Sequence, residues 1–112
     1  FSAIIPASRP SLIHGDLWSG NVMIHQSKVA LVDPAVYYAD KEIEIAFTKL
    51  FGGFPQAFYD AYQDVNPWDA DFENIRVDMY SLYPLLVHTL LFGEEYAKSV
   101  HFVVKKLFKH LV

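Results

Sequence analysis

Apolar residues in the first third of the chain form two short runs with a polar break between them. The runs are residues 21–25 (NVMIH) and residues 29–33 (VALVD), and the break is Gln26-Ser27-Lys28. Short apolar runs on either side of a polar connection are typical of two antiparallel strands. The pattern therefore predicts a β-hairpin over residues 21–33.

Beyond residue 40 the apolar residues recur every three or four positions, which indicates helices. Asp40 is a suitable N-cap for the first helix, and Gly52-Gly53 should end it. A short second helix should follow Pro55 and stop before the turn at residues 66–69, and its aromatic residues could form the wall of a pocket. The apolar positions of these two helices are Ile43, Ala46, Phe47, Leu50, Phe58, Tyr59 and Tyr62.

Two further helices are predicted on either side of Gly93. The first contains Pro84, which should kink it because the proline ring removes a backbone donor. The predicted apolar stripes are Phe72, Ile75, Met79, Leu82, Leu86 and Leu90 on one helix, and Tyr96, Val100, Val103, Leu107 and Leu111 on the other. The chain is therefore predicted to be α+β and mainly α-helical, with one short hairpin.

The polar segment before the hairpin carries the candidate chemistry. It consists of residues 14–21 (HGDLWSGN), and Asp33 follows twelve residues after Asn21. A phosphoryl-transfer site needs a carboxylate to receive the proton of a substrate hydroxyl, together with oxygen ligands that hold Mg²⁺ on the nucleotide phosphates. Asp16, Asn21 and Asp33 can supply these groups, so we interpret the segment as the catalytic half of such a site.

The predicted hairpin explains how Asn21 and Asp33 could act together. In an antiparallel pair the first residue of one strand lies beside the last residue of the other, with the backbones about 5 Å apart. Magnesium keeps several waters and phosphate oxygens, so one Asp and one Asn are a sufficient contribution from the protein. Asp16 lies five residues before Asn21 in a glycine-containing loop, which places the presumed base beside the metal.

These motifs resemble the catalytic loop and the metal motif of protein-kinase-like small-molecule kinases. A narrower resemblance is to the fructosamine kinase (ketosamine 3-kinase) family. It rests on Leu17–Asn21, on the triplet at residues 33–35 (DPA) and on residues 51–54 (FGGF), and it covers about residues 12–92. The fold that it implies is the C-terminal lobe of a protein-kinase-like enzyme.

The resemblance also implies an activity and a set of roles. The expected reaction is ATP-dependent and Mg²⁺-dependent transfer of a phosphoryl group to a hydroxyl of a ketosamine, such as the fructosyl part of a glycated amine. Asp16 would be the catalytic base, and Asn21 and Asp33 would bind the metal and the nucleotide phosphates. Glu44 would brace the catalytic loop from the following helix.

Several of these residues also have plainer interpretations. Asp16 could cap its own turn and Asn21 could simply begin a strand, but their combination with Asp33 favours catalysis. We expect His14 to fix backbone by hydrogen bonding rather than to move protons. Trp18 could cover the edge of the core or provide a stacking surface for a sugar-like substrate. Glu44 could be an exposed acid near a helix start.

Composition narrows the function classes. The net charge is −4, and the nine Lys and Arg form no long stripe, which argues against a dedicated nucleic-acid binder. No stretch reaches the roughly 20 apolar residues that a membrane span needs. The chain has no Cys, which is compatible with the cytoplasmic location that we expect. Because 53% of the residues are hydrophobic, an isolated fragment should leave an uncovered apolar surface and self-associate.

No glycine-rich phosphate loop, strand lysine or helical glutamate partner precedes Ser11. We therefore expect residues 1–112 to form the C-terminal catalytic lobe of a longer kinase, with the nucleotide-covering lobe absent from this chain. The chain alone is expected to be inactive. Two alternatives remain open: another small-molecule kinase, of the aminoglycoside, choline or homoserine type, and a catalytically silent binding or assembly module.

Overall fold

The computed structural model describes residues 5–111, which form two compact units. One unit comprises residues 7–68 and contains all four strands and the first two helices. The other comprises residues 69–111 together with residues 5–6, and it contains the last two helices. The assignment of residues 1–112 to a single catalytic lobe stays a prediction.

The strands of the first unit form two separate two-stranded antiparallel sheets, one pairing β1 with β4 and the other pairing β2 with β3. Their bounds are β1 Ser11–Ile13, β2 Val22–His25, β3 Lys28–Leu31 and β4 Tyr37–Ala39.

The β2–β3 pair confirms the predicted hairpin, with Val22 opposite Leu31 and His25 opposite Lys28. Gln26 and Ser27 form the turn, and both have positive φ angles of 48° and 64°. That conformation matches the right-handed twist of the adjoining strands, which makes the two-residue turn favourable. The strands are shorter than predicted because residue 21 ends a 3₁₀ turn and the ladder stops at Leu31.

The β1–β4 pair was not predicted. Ile13 lies opposite Tyr37 and Ser11 lies opposite Ala39. Within β1, Ile13 is 4% exposed and Leu12 is 61% exposed, so the side chains alternate as in any half-buried strand. Three residues are too few for this alternation to be distinguished in the sequence. The pairing closes residues 14–36 into one long loop that carries the hairpin.

Two helices complete this unit, α1 (Lys41–Phe51) and α2 (Gln56–Val65), and both confirm the predicted helices. The Asp40 carboxylate accepts a hydrogen bond from the Glu42 backbone N–H at 2.9 Å, which satisfies one of the free donors of the first turn of α1. Gly52 follows the last turn of α1.

The buried face of α1 differs from the predicted stripe. Ala46 is buried as predicted, but Ile43, Phe47 and Leu50 are only half-buried. Ile45 and Thr48 are the most enclosed side chains instead. Thr48 can be buried because its hydroxyl donates to the Ile45 carbonyl and also hydrogen-bonds the Tyr59 hydroxyl of α2.

In the second unit a π-helical turn (Phe72–Arg76) runs directly into α3 (Val77–Phe92), and α4 (Ala97–Leu111) packs against α3. Asp69 caps the start, because its carboxylate accepts hydrogen bonds from the Arg76 guanidinium at 2.6 Å and from the Phe72 N–H at 3.0 Å. The hydrogen bond from Arg76 has the largest effect on the pKa of Asp69, and together with the bond from Phe72 it holds that pKa below its usual value.

The predicted apolar stripe of α3 is wrong in its second half. Leu86 and Leu90 are 49% and 86% exposed, whereas Ser81 and Leu85 are buried. Helix α3 carries apolar residues on all sides, so the sequence period could not select one face. On α4, Val103 and Leu107 are buried as predicted, while the side chain of Leu111 lies outside the described residues. The chain continues as a helix through Pro84, and the kink there stays a prediction.

Large apolar side chains are exposed in both units. This surface is typical of a region that contacts other protein, and self-association stays a prediction. Within residues 5–111, no helix combines the length and apolar character that a membrane crossing requires. The exposed side chains include Met23, Ile24, Val29, Leu31, Leu90, Leu91, Phe92, Phe102 and Phe108.

Candidate active site

The segment that joins β1 to β2, residues 14–21, is a compact loop. The Trp18 N–H donates to the Asp16 carbonyl at 3.2 Å, and the Asn21 N–H donates to the Trp18 carbonyl at 2.9 Å. Ser19–Asn21 form a 3₁₀ turn at its end. Consecutive short-range bonds of this kind satisfy backbone groups that a loop would otherwise leave unpaired.

Asp16 and Asn21 are in direct contact within this loop. The Asn21 side-chain nitrogen donates to the Asp16 carbonyl at 2.9 Å and to the Asp16 carboxylate at 3.2 Å. Asn21 is only 6% exposed, and Asp16 is half-buried. Since the Nδ2 atom faces Asp16, the Oδ1 atom of the same amide is the group that could bind a cation.

Asp33 directly follows Val32, and the backbone of Val32 is paired with that of Asn21. The Val32 N–H donates to the Asn21 carbonyl at 2.9 Å, which continues the hairpin by one more pair beyond β2 and β3. Asp33 is exposed and has a φ of 50°. Few residues other than Gly, Asn and Asp adopt this left-handed conformation readily, and it turns the chain out of the strand direction immediately after Val32.

His14 connects the catalytic loop to the segment around Asp33. Its Nε2 donates to the Val32 carbonyl at 2.8 Å, and its Nδ1 accepts the Asp16 N–H at 3.2 Å. The His14 carbonyl also accepts the Ala35 N–H at 2.8 Å. Both ring nitrogens therefore have hydrogen-bond partners within the protein. This arrangement suits a residue that fixes backbone rather than one that transfers protons.

Glu44, in the first turn of α1, holds the beginning of the loop. Its two carboxylate oxygens accept the backbone N–H groups of His14 at 2.8 Å and Gly15 at 3.0 Å. Hydrogen bonds to an ionised carboxylate are stronger than those between neutral groups. Gly15 has a φ of +88°, and a Cβ atom there would overlap the carbonyl oxygen of Ala35. Only glycine therefore fits between Glu44 and Ala35.

Trp18 projects from the middle of the loop and is 42% exposed. Its indole ring lies against the backbone of Gly20, with no space for a Cβ atom between them. The ring is therefore supported from one side by the loop and open to solvent over part of its surface. An aromatic face in this setting is available to a molecule that approaches the loop.

A second support of the loop was not foreseen from the sequence. Gly53, just beyond the C-terminal end of α1, lies directly against the side chain of Ser19. The sequence signal is the pair Gly52-Gly53, which predicts the end of a helix and belongs to the FGGF motif of the family resemblance. The contact joins residues that are far apart in the chain, so local pattern could not indicate it.

A small cavity of about 340 Å³ lies behind the loop, between β1, α1 and α2. Burial raises the pKa of Tyr62 above its usual value, and the negative charges of Glu44, Asp40 and Glu42 raise it further. The hydroxyl thus stays protonated at neutral pH. Phe58 and Tyr62 contribute to the wall, as the sequence suggested for these aromatic residues. The lining comprises Ser11, Leu12, Ile13, Leu17, Lys41, Glu44, Ile45, Phe58, Tyr62 and Asn66.

The side-chain atoms of Asp16, Asn21 and Asp33 that could coordinate a metal are all oxygens, from two carboxylates and one amide. Hard oxygen donors suit Mg²⁺, which is held in nucleotide sites by one or two carboxylates together with phosphate oxygens and water. Among residues 5–111 there is no cluster of three or more His, Cys, Asp or Glu side chains that could hold a metal. The chemistry of these oxygens is compatible with Mg²⁺, and a metal site at these residues stays a prediction.

A mainly helical chain in which a loop of this kind closes on a hairpin, with a helix holding the first amides of the loop, has the C-terminal lobe architecture of protein-kinase-like enzymes. The model of the fructosamine kinase family matches residues 5–110. The chain belongs to this family, as the sequence motifs predicted.

Curated relatives and solved structures agree with this assignment. A Staphylococcus aureus protein named "Probable ketoamine kinase" is 48% identical over 101 residues, which are 89% of this chain and 35% of that protein. A Synechocystis protein of the same name is 41% identical over 98 residues, 87% of this chain and 33% of that protein. The crystal structure of a candidate fructosamine-3-kinase from Thermobifida fusca superposes with a TM-score of 0.84 at 32% identity, covering 93% of this chain and 36% of that one. The chain thus spans about a third of the length of the relatives that it matches.

Glu44→Gln tests the hold of α1 on the loop. Glutamine has one acceptor oxygen, so one of the two N–H groups at His14 and Gly15 loses its partner, at a cost of about 1–3 kcal/mol. We expect faster hydrogen exchange in residues 12–17 of the complete protein, measured by mass spectrometry. Glu42→Gln removes a charge from the same helical turn and should leave this exchange unchanged. Equal protection in both variants would contradict the bracing role of Glu44.

Proposed function

We propose that the complete protein is an ATP-dependent kinase that phosphorylates a hydroxyl group of a ketosamine, such as the fructosyl part of a glycated amine. Membership of the fructosamine kinase family and the names of the relatives support this proposal. The observation that supports it most directly is the contact of Asn21 with Asp16. The Asn21 Nδ2 atom donates to the Asp16 carboxylate, so the Oδ1 atom of the same amide is left to serve as the proposed metal ligand. The cytoplasmic location belongs to the same proposal.

Asp16 is the proposed catalytic base. A carboxylate in this position receives the proton of the acceptor hydroxyl as its oxygen attacks the terminal phosphorus of ATP, while the bond from that phosphorus to the bridging oxygen breaks and ADP leaves. The Asn21 amide donates to one carboxylate oxygen and so fixes the side chain. Asp16 is half-buried, which limits the number of water molecules that can hydrogen-bond to its carboxylate in place of the acceptor hydroxyl. Rigid placement of the base matters because most of the rate gain in phosphoryl transfer comes from positioning and electrostatic stabilisation.

Asn21 and Asp33 are the proposed ligands of Mg²⁺, through the Oδ1 atom of the amide and the carboxylate. When bound, the ion neutralises charge on the nucleotide phosphates. His14 and the Asn21 backbone hold Val32, and Val32 fixes the chain position of Asp33. The carboxylate therefore extends from an anchored segment even though it is exposed, and this anchoring limits the movement that metal binding must overcome.

Trp18 is the proposed surface for the acceptor. A sugar presents apolar C–H faces as well as hydroxyl groups, and an aromatic ring can cover those faces. The exposed part of the indole, two residues after Asp16, can orient a fructosyl group while Asp16 meets one of its hydroxyls. A highly charged aminoglycoside would gain less from such a ring.

The first test is Mg·ATP turnover by the complete protein with a fructosyl-amine, an aminoglycoside, choline and homoserine as acceptors. We expect efficient phosphorylation of the fructosyl-amine and weak or no turnover with the others. The 112-residue chain alone serves as the negative control. Preference for another acceptor would point to a different small-molecule kinase, and absence of turnover with every acceptor would favour a silent module.

Asp16→Asn and Asp33→Asn should produce defects of different kinds in the complete protein. Loss of the base should lower kcat by about 100- to 10,000-fold and leave Mg·ATP affinity nearly unchanged. Loss of the Asp33 carboxylate should raise the Mg²⁺ concentration needed for half-maximal activity. Calorimetric Mg·ATP titration beside steady-state kinetics separates the two. Weak Mg·ATP binding only in Asp16→Asn would reverse the assignment.

Trp18→Ala should lower kcat/KM for the fructosyl-amine by about 3- to 10-fold, the equivalent of ~1 kcal/mol of lost aromatic contact. The Kd for Mg·ATP should remain close to that of the wild type. Trp18→Phe should retain most of the efficiency because it keeps an aromatic face. A large fall in Tm with unaltered acceptor kinetics would show that the ring serves only packing.

A further inference from the structure

Helix α1 and the residues just after it contact the loop of residues 14–21 at both of the loop's ends. Near its start, Glu44 holds the amides of His14 and Gly15. Just after its end, Gly53 lies against Ser19, the first residue of the 3₁₀ turn Ser19–Asn21. Helix α1 and the two glycines that follow it therefore contact both the first residues of the loop and its last turn.

The contact at Gly53 leaves no spare space. A Cβ atom built on Gly53 would lie 2.7 Å from both the Cβ and the Oγ atoms of Ser19. Unstrained contacts between such atoms are about 3.5–4.0 Å. Any side chain at residue 53 must therefore push Ser19 away from α1 or push the end of α1 away from the loop.

A displacement of Ser19 would reach Asn21, because both belong to one three-residue turn. Asn21 is buried, and its amide is fixed to Asp16 on one side. The Oδ1 atom on the other side of that amide has little freedom to compensate. A shift of a few tenths of an ångström at Ser19 thus changes where Oδ1 points.

We propose that Gly53 is a positioning residue for the metal side of the site: by permitting close approach of α1 to Ser19, it sets the Ser19–Asn21 turn and thereby the placement of the Asn21 Oδ1 atom toward Mg·ATP. This inference rests on the proposed kinase function. It assigns a role in nucleotide engagement to a residue that does not itself touch the nucleotide.

The neighbouring glycine provides a matched control. Gly52 has a φ of +69°, and no atom lies within 4 Å of the position of a Cβ there. Gly53 has a φ of +94° and the close contact with Ser19. Alanine at either position introduces backbone strain, since a side chain disfavours positive φ. Only alanine at position 53 also collides with the loop.

The experiment compares Gly53→Ala, Gly52→Ala, Ser19→Gly and the double variant Gly53→Ala/Ser19→Gly in the complete protein. Calorimetry measures Mg·ATP affinity without acceptor, and thermal unfolding is measured in parallel. Gly53→Ala should weaken Mg·ATP binding about tenfold, within the range seen when residues behind metal ligands are changed. Gly52→Ala should lower Tm but alter Kd less than twofold. Ser19→Gly alone measures the effect of removing that side chain, and the double variant should bind Mg·ATP more tightly than Gly53→Ala while its Tm stays low.

Equal loss of affinity in Gly52→Ala and Gly53→Ala would overturn the inference, because strain at the helix end would then explain both. Failure of Ser19→Gly to restore binding would also overturn it. If Gly53→Ala does not fold, Ser19→Val introduces bulk from the other side of the contact and must weaken Mg·ATP binding. Normal binding by the wild type with no turnover of fructosyl-amines would refute the proposed substrate alone. No Mg·ATP binding by the wild type would refute both proposals.

Discussion

The carboxylate of Glu44 is the interaction on which the site geometry depends. A loop that leaves a short strand and turns sharply at a glycine has backbone N–H groups with no partner in any ladder. Glu44 accepts two of these groups at once, from His14 and Gly15. Receiving one N–H group on each of two oxygens requires a carboxylate, because an amide or a hydroxyl side chain has only one oxygen. Asp16 is the next residue in the chain, so the bonds of Glu44 to His14 and Gly15 also fix the backbone position of Asp16.

The other contacts that hold residues 14–36 in place are mainly hydrogen bonds. The β1–β4 pair brings the two ends of residues 14–36 together, and the imidazole of His14 links the loop to Val32. The hairpin then returns the chain to Asn21 through the Val32 N–H. Each connection involves at least one backbone group, so the arrangement tolerates changes at exposed hairpin side chains but not changes that move the main chain.

The sequence predicted those parts of the fold that have local signals. The hairpin was visible because Gln26 and Ser27 separate two apolar runs, and α1 and α2 were visible because Asp40, Gly52 and Pro55 mark their boundaries. The spacing from Asp16 to Asn21 indicated two neighbouring groups, and the structure places them in contact. The catalytic and metal-binding roles of Asp16, Asn21 and Asp33 stay predictions, as does that of Trp18.

Other features had no local signal. The three-residue strands β1 and β4 are too short to show alternation, and α3 is apolar on too many sides for Leu86 and Leu85 to be ranked by period. The burial of Thr48 depends on the hydroxyl of Tyr59, eleven residues away. The fit of Gly53 against Ser19 depends on tertiary structure alone. All of these features depend on contacts between residues that are distant in the sequence. The local pattern of apolar and polar residues therefore does not predict them.

The orientation of the Asn21 amide affects the charge beside Asp16, and it links the alignment of Asp16 to the binding of a cation. An aspartate at this position could not donate to the Asp16 carboxylate, and two adjacent negative groups would raise the energy of the ionised base. The amide instead donates to Asp16 with one atom and offers an oxygen with the other. A cation that pulls on that oxygen polarises the same amide and strengthens its bond to Asp16. Under the roles proposed above, arrival of the metal nucleotide and final alignment of Asp16 would be a single event, so the Asp16 carboxylate would be held most firmly when a phosphoryl donor is present.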